Sequence, residues 1–135
     1  MIDLEALRQA LAAVPAVRLA AVFGSEARGK SGPQSDVDLA LQLVPPTAAA
    51  RRDAVAAARA AIGREIDAVD LDSAPPLLRF QIARDGVLLV EREPRSWTRF
   101  KATAMVDWWD WAPTARRIHA DYIRRLREHV AHGGP

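Results

Sequence analysis

Two aspartates separated by a single residue are the most chemically informative residues of this sequence. Asp36 and Asp38 begin a stretch, ending at Leu43, in which polar and apolar residues alternate, and this period predicts a β-strand. Residues two apart on a strand project from one face with Cα atoms about 6.5 to 7 Å apart, so both carboxylates can reach one cation. Because hard oxygen ligands with no histidine or cysteine nearby favour magnesium, with manganese as a substitute, we interpret the pair as a metal-binding site.

A Gly-Ser pair directly follows the predicted buried strand Val17 to Phe23. Such a turn exposes backbone N–H groups and a hydroxyl, and a helix that begins at Glu26 would point its positive end at the same place, where phosphate oxygens can be held. Gly24 allows a ligand to approach the backbone closely, and Ser25 can donate to a phosphate oxygen. Arg28, one turn into that helix, can contact phosphate or form a structural ion pair.

A third acid would serve this site as a further metal ligand or as the base that takes a proton from an attacking hydroxyl. Asp67 and Asp70 both lie in the next predicted strand, roughly Glu65 to Leu71. Their positions have opposite parity, so the two side chains cannot both face the site if the strand is regular. The residue pattern alone leaves this choice open.

The remaining pattern predicts helices and strands that position these residues. The first predicted helix is capped by Asp3 and ends near Pro15, and an Ala-rich helix runs from Thr47 to about Ile62 with Gly63 at its C-terminal end. A short helix capped by Ser73 and ended by Gly86 follows, and then a strand from Val87 to Val90. The remainder is predicted to be mostly helical, kinked or split at Pro113.

Composition places the chain among globular proteins of one domain. It has 135 residues, of which 50% are hydrophobic and 6% aromatic, so we expect a core built largely of Ala, Leu and Val on helix faces. The absence of cysteine excludes disulfides, thiolate zinc sites and cysteine nucleophiles. No signal peptide or membrane span is evident, which predicts a cytoplasmic protein without a membrane partner. A net charge of only +2 gives no argument for direct nucleic-acid binding.

The pattern Gly24-Ser25, ten residues, then Asp36-x-Asp38 resembles the signature of the nucleotidyltransferase superfamily related to DNA polymerase beta. In that family the third carboxylate lies on the next strand, and the stretch from residue 66 to 71 is similar to its hydrophobic-Asp-x-x-Asp-Leu form, which matches Asp67. Residues 74 to 91 are similar to the continuation in minimal nucleotidyltransferases of the MNT type. Together these likenesses cover about residues 17 to 92.

The resemblance implies an α+β nucleotidyltransferase fold, with a mixed sheet of about four strands flanked by helices. Residues 1–93 would form the core, and residues 94–135 a helical C-terminal extension packed on or beside it. The implied catalytic and metal-binding residues are Asp36, Asp38 and Asp67, and the implied nucleotide-binding residues are Gly24, Ser25 and Arg28. Mg²⁺, or Mn²⁺ in its place, would be the cofactor and ATP the substrate.

Proteins of the MNT type are commonly antitoxins of HEPN-domain ribonuclease toxins, to which they transfer AMP from ATP at a tyrosine. The resemblance therefore implies a HEPN toxin as partner, in a hetero-oligomer. Two alternatives stay open: a small-molecule adenylyltransferase of the aminoglycoside type, and an antitoxin that masks its toxin without catalysis. Four tryptophans and a cluster of arginines lie after residue 94, which favours a docking role for that segment.

Overall fold

The computed structural model describes residues 2–24 and 36–131 of the chain. Ser25 and Arg28 therefore lie outside the described residues. The described elements are, in order, α1 (Leu4–Ala12), β1 (Val17–Phe23), β2 (Val37–Leu43), α2 (Ala48–Ile62), β3 (Ile66–Asp70), α3 (Pro76–Asp85), β4 (Val87–Glu91) and α4 (Ser96–Ala131). No helix in this part of the chain has the length and apolar character to cross a bilayer.

The four strands form one mixed sheet in the order β3-β2-β1-β4. The central strand β1 pairs antiparallel with both β2 and β4, while β2 pairs parallel with β3. A parallel pair needs a crossover, and α2 supplies it between β2 and β3. The predicted α+β fold, a mixed sheet of four strands with flanking helices and a helical C-terminal segment, is confirmed.

Three of the predicted helix ends are confirmed by their capping contacts. The Asp3 carboxylate accepts a hydrogen bond from the backbone N–H of Ala6, and the Thr47 hydroxyl accepts one from that of Ala50. Gly63 ends α2 with φ of 65°, a left-handed conformation that glycine adopts without a steric cost.

One predicted helix cap is wrong. Ser73 does not cap α3, because Pro75 occupies the N-cap position without a side-chain hydrogen bond and Pro76 begins the helix. Proline is suited to this first turn, where its missing N–H would have no helical partner. Of the two alternatives predicted at Pro113, a kink or a split, the split is contradicted, since α4 is a single helix of 36 residues that includes this proline.

Helices cover both faces of the sheet. On one face, Leu7 and Leu11 of α1 pack with Ala54 and Ala58 of α2 against the odd-numbered residues of β2, such as Leu39. On the other face, Ile82 of α3 and Trp97 of α4 pack against a second apolar cluster, whose sheet and turn residues include Leu19, Ala21, Phe23, Ala40 and Leu71. The central strands are therefore buried on both sides.

Close packing of α2 on the rest of the core predicts a strict size limit at its buried alanines. Ala54 is fully buried and Ala60 of the same helix is exposed. Ala54→Leu should lower the free energy of unfolding by about 1 to 3 kcal/mol, because the added carbons force neighbouring side chains to move. Ala60→Leu should change it by less than about 0.5 kcal/mol. Urea denaturation followed by circular dichroism measures both, and equal effects would contradict the tight packing.

Candidate active site

The strand register brings Asp38 and Asp67 side by side. Asp38 of β2 is the direct partner of Asp67 on the parallel strand β3 and of Phe23 on the antiparallel strand β1. Side chains paired in this way share one face of the sheet, with neighbouring strands about 4.8 Å apart. Here it is the face that α3 and α4 cover, because Phe23 and Ala40 belong to their apolar cluster. Asp36 precedes β2 by one residue and is exposed.

Asp70 occupies a different place from Asp67. Ala68, two residues before it, packs in the cluster beneath α1 and α2, so Asp70 projects towards that face and away from Asp38. Its carboxylate accepts a hydrogen bond of 2.9 Å from the backbone N–H of Asp72, which fixes the turn after β3. Asp67 is exposed at the sheet edge, beside a groove between β3 and α2 whose lining includes Arg51, Arg52 and Arg59.

Gly24 lies directly against the Asp38 carboxylate. Its φ is +72°, which side-chain-bearing residues rarely adopt. A Cβ at this position would collide with Asp38 Oδ2 and would lie only 3.1 Å from Asp38 Cγ. The backbone conformation therefore favours the glycine that the sequence motif placed after β1, and any side chain there would displace the Asp38 carboxylate from its present position.

A pocket of about 240 Å³ opens beside these two residues. Its lining consists of Phe23 and Gly24 from the end of β1, Asp38 from β2, and Gln81, Arg84 and Asp85 from the last turns of α3. The three residues of α3 were not singled out from the sequence as site residues. Their only sequence signal is the likeness of residues 74 to 91 to the family continuation, which includes Asp85 and Gly86 but gives no role to a residue of this turn.

Arg84 and Asp85 form a two-point ion pair at this pocket. Arg84 Nε donates to Asp85 Oδ1 at 3.0 Å, and Nη2 donates to Asp85 Oδ2 at 2.8 Å. The hydrogen bond and the negative charge of Asp85 raise the pKa of the Arg84 guanidinium above its usual value. The guanidinium carbon also lies 5.6 Å from the centroid of the Phe80 ring, within the range of a cation–π contact.

The acidic residues present fit a magnesium ion by the chemistry of their donors. Asp36 lies two residues before Asp38 in the chain, and Asp67 is paired with Asp38 on the neighbouring strand. The three carboxylates therefore offer hard oxygen ligands from neighbouring positions. Within residues 2–24 and 36–131, no three acidic or histidine side chains already converge closely enough to hold a metal. Side-chain rotations at these positions would be needed to gather the oxygens around one ion.

The family model described as polymerase beta, nucleotidyltransferase matches residues 5–95. This chain is a member of that family. The match includes the turn at Gly24, the acids of β2 and β3, and the pocket residues of α3. It ends one residue before α4, so the whole of this helix lies beyond the matched residues. A search of curated proteins finds no significant match.

Solved structures of toxin–antitoxin complexes share the fold. A chain of a toxin–antitoxin crystal structure with AMP-PNP has a TM-score of 0.76 and 22% sequence identity, and the likeness covers 90% of this chain and 98% of that one. A structure of a tri-AMPylated Shewanella oneidensis HEPN toxin in complex with MNT antitoxin gives 0.68 and 19%, with coverage of 90% and 99%. The predicted membership of the nucleotidyltransferase superfamily is confirmed by the family match, and the likeness to MNT-type proteins is confirmed as a likeness of fold.

The close approach of Gly24 to Asp38 predicts the effect of a single added methyl group. Gly24→Ala should abolish nucleotidyl transfer, because the methyl group displaces the Asp38 carboxylate, and should also lower stability by about 1 to 2 kcal/mol through the left-handed backbone. Transfer assays and thermal unfolding measure the two effects.

Gly63→Ala is the matched control for this prediction. Gly63 has nearly the same φ, +65°, but a Cβ there meets nothing within 4 Å. The control should show the loss of stability and retain activity. Full activity of Gly24→Ala would show that the position of Asp38 is not set by this contact.

Proposed function

We propose that this protein is a magnesium-dependent nucleotidyltransferase that transfers AMP from ATP to a tyrosine of a cognate HEPN-domain ribonuclease toxin, and that it acts in the cytoplasm as the antitoxin of that toxin. The observation that carries the chemistry is the register of Asp38 with Asp67 beside Gly24. Support for the partner comes from relatives of the same fold that were crystallised in toxin–antitoxin complexes, one with a tri-AMPylated HEPN toxin.

In the proposed reaction the tyrosine oxygen bonds to the α-phosphorus of ATP while the bond from that phosphorus to the bridging oxygen breaks. Pyrophosphate leaves with the bonding electron pair, and the phenolic proton passes to a carboxylate. Asp36, Asp38 and Asp67 would hold magnesium, which supplies charge stabilisation to the triphosphate. Asp67 is exposed at the sheet edge, where an acceptor hydroxyl can reach it, and we assign it the proton. Ser25 and Arg28 remain proposed phosphate contacts.

The acids of β3 provide a direct test of the proposed chemistry. Asp67→Asn should lower kcat for AMP transfer by about 100-fold or more, with a smaller effect on the KM for ATP, because it removes a base acting in the transition state. Asp38→Asn should remove most turnover, and a chelator such as EDTA should stop the wild-type reaction. Asp70→Asn is the matched control, since it alters the same residue type on the opposite face.

The measurement is transfer of AMP to the purified toxin, followed by mass spectrometry of the toxin. Equal losses in Asp67→Asn and Asp70→Asn, or full turnover with EDTA, would contradict the proposed mechanism. An aminoglycoside offered in place of the toxin tests the alternative acceptor class, and AMP transfer to it alone would favour the small-molecule function. Neutralisation of the toxin by an Asp38→Asn variant at equimolar concentration would favour masking.

The distal part of α4, residues 113–130, is the surface that we propose for docking the toxin. Its apolar residues recur at four-residue intervals and are exposed: Ile118 at 60%, Tyr122 at 59%, Leu126 at 45% and Val130 at 76%. A period close to 3.6 places them in one stripe along the helix. Trp109 is also exposed, at 69%, one turn before this segment, whereas Trp108 stacks on Phe80 at 5.3 Å.

Charge favours an acidic protein as the occupant of this stripe. Five arginines against Asp121 and Glu128 give residues 113–130 a net charge of +3, which leaves −1 of the chain's total of +2 for all other residues. A second copy of this chain is disfavoured as the occupant, because two segments of charge +3 would repel each other. A nucleic acid is disfavoured as well, because its phosphate backbone offers no apolar surface to the aliphatic stripe. An acidic rim around an apolar groove on the toxin fits both features.

A pair of equally exposed β-branched residues tests the docking surface. Ile118→Asp should weaken toxin binding at least about tenfold, because it buries an unpaired charge in the interface. Val44→Asp is the control: Val44 is exposed at 61% but directly follows β2, outside the proposed docking segment. Calorimetric titration of the full-length variants with the toxin measures both affinities.

Point substitutions are preferable here to truncation after Glu93, because Trp97 is buried at 8% exposure and packs beneath the sheet. The division into residues 1–93 and 94–135 accordingly remains a functional proposal. ATP affinity should be unchanged in both variants. If Ile118→Asp bound the toxin as tightly as the wild type does, another surface would have to be the docking site.

A further inference from the structure

The last turn of α3 contributes a positively charged side chain to the pocket at Asp38. Arg84 lines this pocket together with Gly24 and Asp38, and it is the sole cation among the lining residues that the structure describes. Its side chain is 51% exposed, so its charge is available to a ligand. Nothing in the sequence motif of Gly-Ser and Asp-x-Asp marks this position.

Arg84 is held in place from two directions. Asp85 occupies Nε and Nη2 of the guanidinium, and the Phe80 ring lies next to its central carbon. Phe80 is itself stacked on Trp108 of α4, with ring centroids 5.3 Å apart and planes inclined at 27°. The conformational entropy that an arginine normally loses on binding a ligand is thus largely lost already in the folded protein. Of the three guanidinium nitrogens, Nη1 is the one that does not donate to Asp85 in this geometry.

A nucleoside triphosphate in this pocket would need cationic groups to hold its phosphates. The charged residues of the described lining are two acids, Asp38 and Asp85, and one base, Arg84. A divalent ion on Asp38 would offset part of the repulsion between the acids and the phosphates. An arginine matches the remaining phosphate oxygens because its planar donors pair with them at fixed geometry.

We propose that the end of α3 forms a second phosphate-binding arm of the active site, in which Arg84, oriented by Asp85 and Phe80, binds the polyphosphate of the nucleoside triphosphate. The arm lies on a different element from the Gly-Ser turn, so the nucleotide is held between the end of β1 and the end of α3. This inference rests on the proposed function, since it takes a nucleoside triphosphate as the occupant of the pocket.

The competing interpretation is purely structural. A helix C-terminus carries a partial negative charge that a nearby arginine stabilises, and Arg84 lies in the last turn of α3. In that case the pair with Asp85 would contribute only to the stability of the helix end. The two interpretations differ in what they predict for nucleotide affinity.

The test is calorimetric titration of the full-length protein with the ATP analogue AMP-PNP in the presence of Mg²⁺ at fixed ionic strength. Arg84→Gln should weaken AMP-PNP binding at least about tenfold, the effect of losing a hydrogen bond between charged groups. Arg84→Lys should be intermediate, because an ammonium keeps the charge but cannot bridge Asp85 and a phosphate in one plane. Adenosine, measured by competition, should bind Arg84→Gln within about twofold of its wild-type affinity, as expected when the lost contact is to phosphate.

Arg99→Gln is the matched control. Arg99 also pairs with a nearby carboxylate, that of Glu93, at 3.1 Å, but it lies in the first turn of α4 and outside the pocket at Asp38, so AMP-PNP binding should be unchanged. An Arg84→Gln variant that binds AMP-PNP as the wild type does, or that loses only thermal stability, would overturn the phosphate-binding arm and leave the proposed function intact. Equal losses for adenosine and AMP-PNP would overturn the assignment to phosphate. A wild-type protein that binds no AMP-PNP would overturn the proposed function and the arm with it.

Discussion

Burial of the two central strands on both faces is the constraint that decides where an acidic site can exist in this fold. A carboxylate in the middle of β1 or β2 would have to be desolvated without a partner, which is prohibitively unfavourable. Along the site face of β2, Ala40 is fully buried, whereas Asp38 at the strand's beginning is only partly so. The acids are therefore confined to the end of the sheet where Phe23 and Gly24 leave β1, and every other site residue must reach that end.

The other constraint on the site is steric, and it acts through two glycines. A side chain at Gly24 would displace the Asp38 carboxylate, and a Cβ at Gly86 would lie 2.5 Å from the backbone oxygen of Ile82 and 3.0 Å from the Trp97 ring. Gly86 thus lets the chain turn directly from the end of α3 into β4 beneath α4. As a consequence, Arg84 and Asp85 are carried on a helix end that is packed from behind, and their position relative to Asp38 is set by the core.

Features that depend on local periodicity were predictable from the sequence. The strand β1, the alternation in β2, the capped alanine-rich helix and the Gly-Ser and Asp-x-Asp motif all follow from residues close together in the chain. The residue pattern alone left the choice between Asp67 and Asp70 open and the family resemblance favoured Asp67, whereas the register with β2 shows which of the two is the neighbour of Asp38. The proposed role of Arg84 was not predictable from the sequence for a related reason, because the other pocket residues Gly24 and Asp38 lie more than forty positions away in the chain. The prediction that Ser73 caps α3 was wrong because the helix begins two residues later than predicted. Pro75 is the N-cap, and the fixed φ of Pro76 suits the first helical position.

The central position of β1 has a consequence for how the protein folds. The strand pairs with β2, which follows it closely, and with β4, whose residue Glu91 is the partner of Leu19. Arg92 reinforces that distant pairing by donating to the carbonyls of Val17, Ala12 and Val14. Contacts between residues so far apart in sequence form late, because the entropy of closing the intervening loop is lost before the contact contributes any stabilisation. The β1–β2 pair that carries Asp38 can therefore form early in synthesis. The end of α3 can pack beside Asp38 only after nearly the whole family domain has left the ribosome.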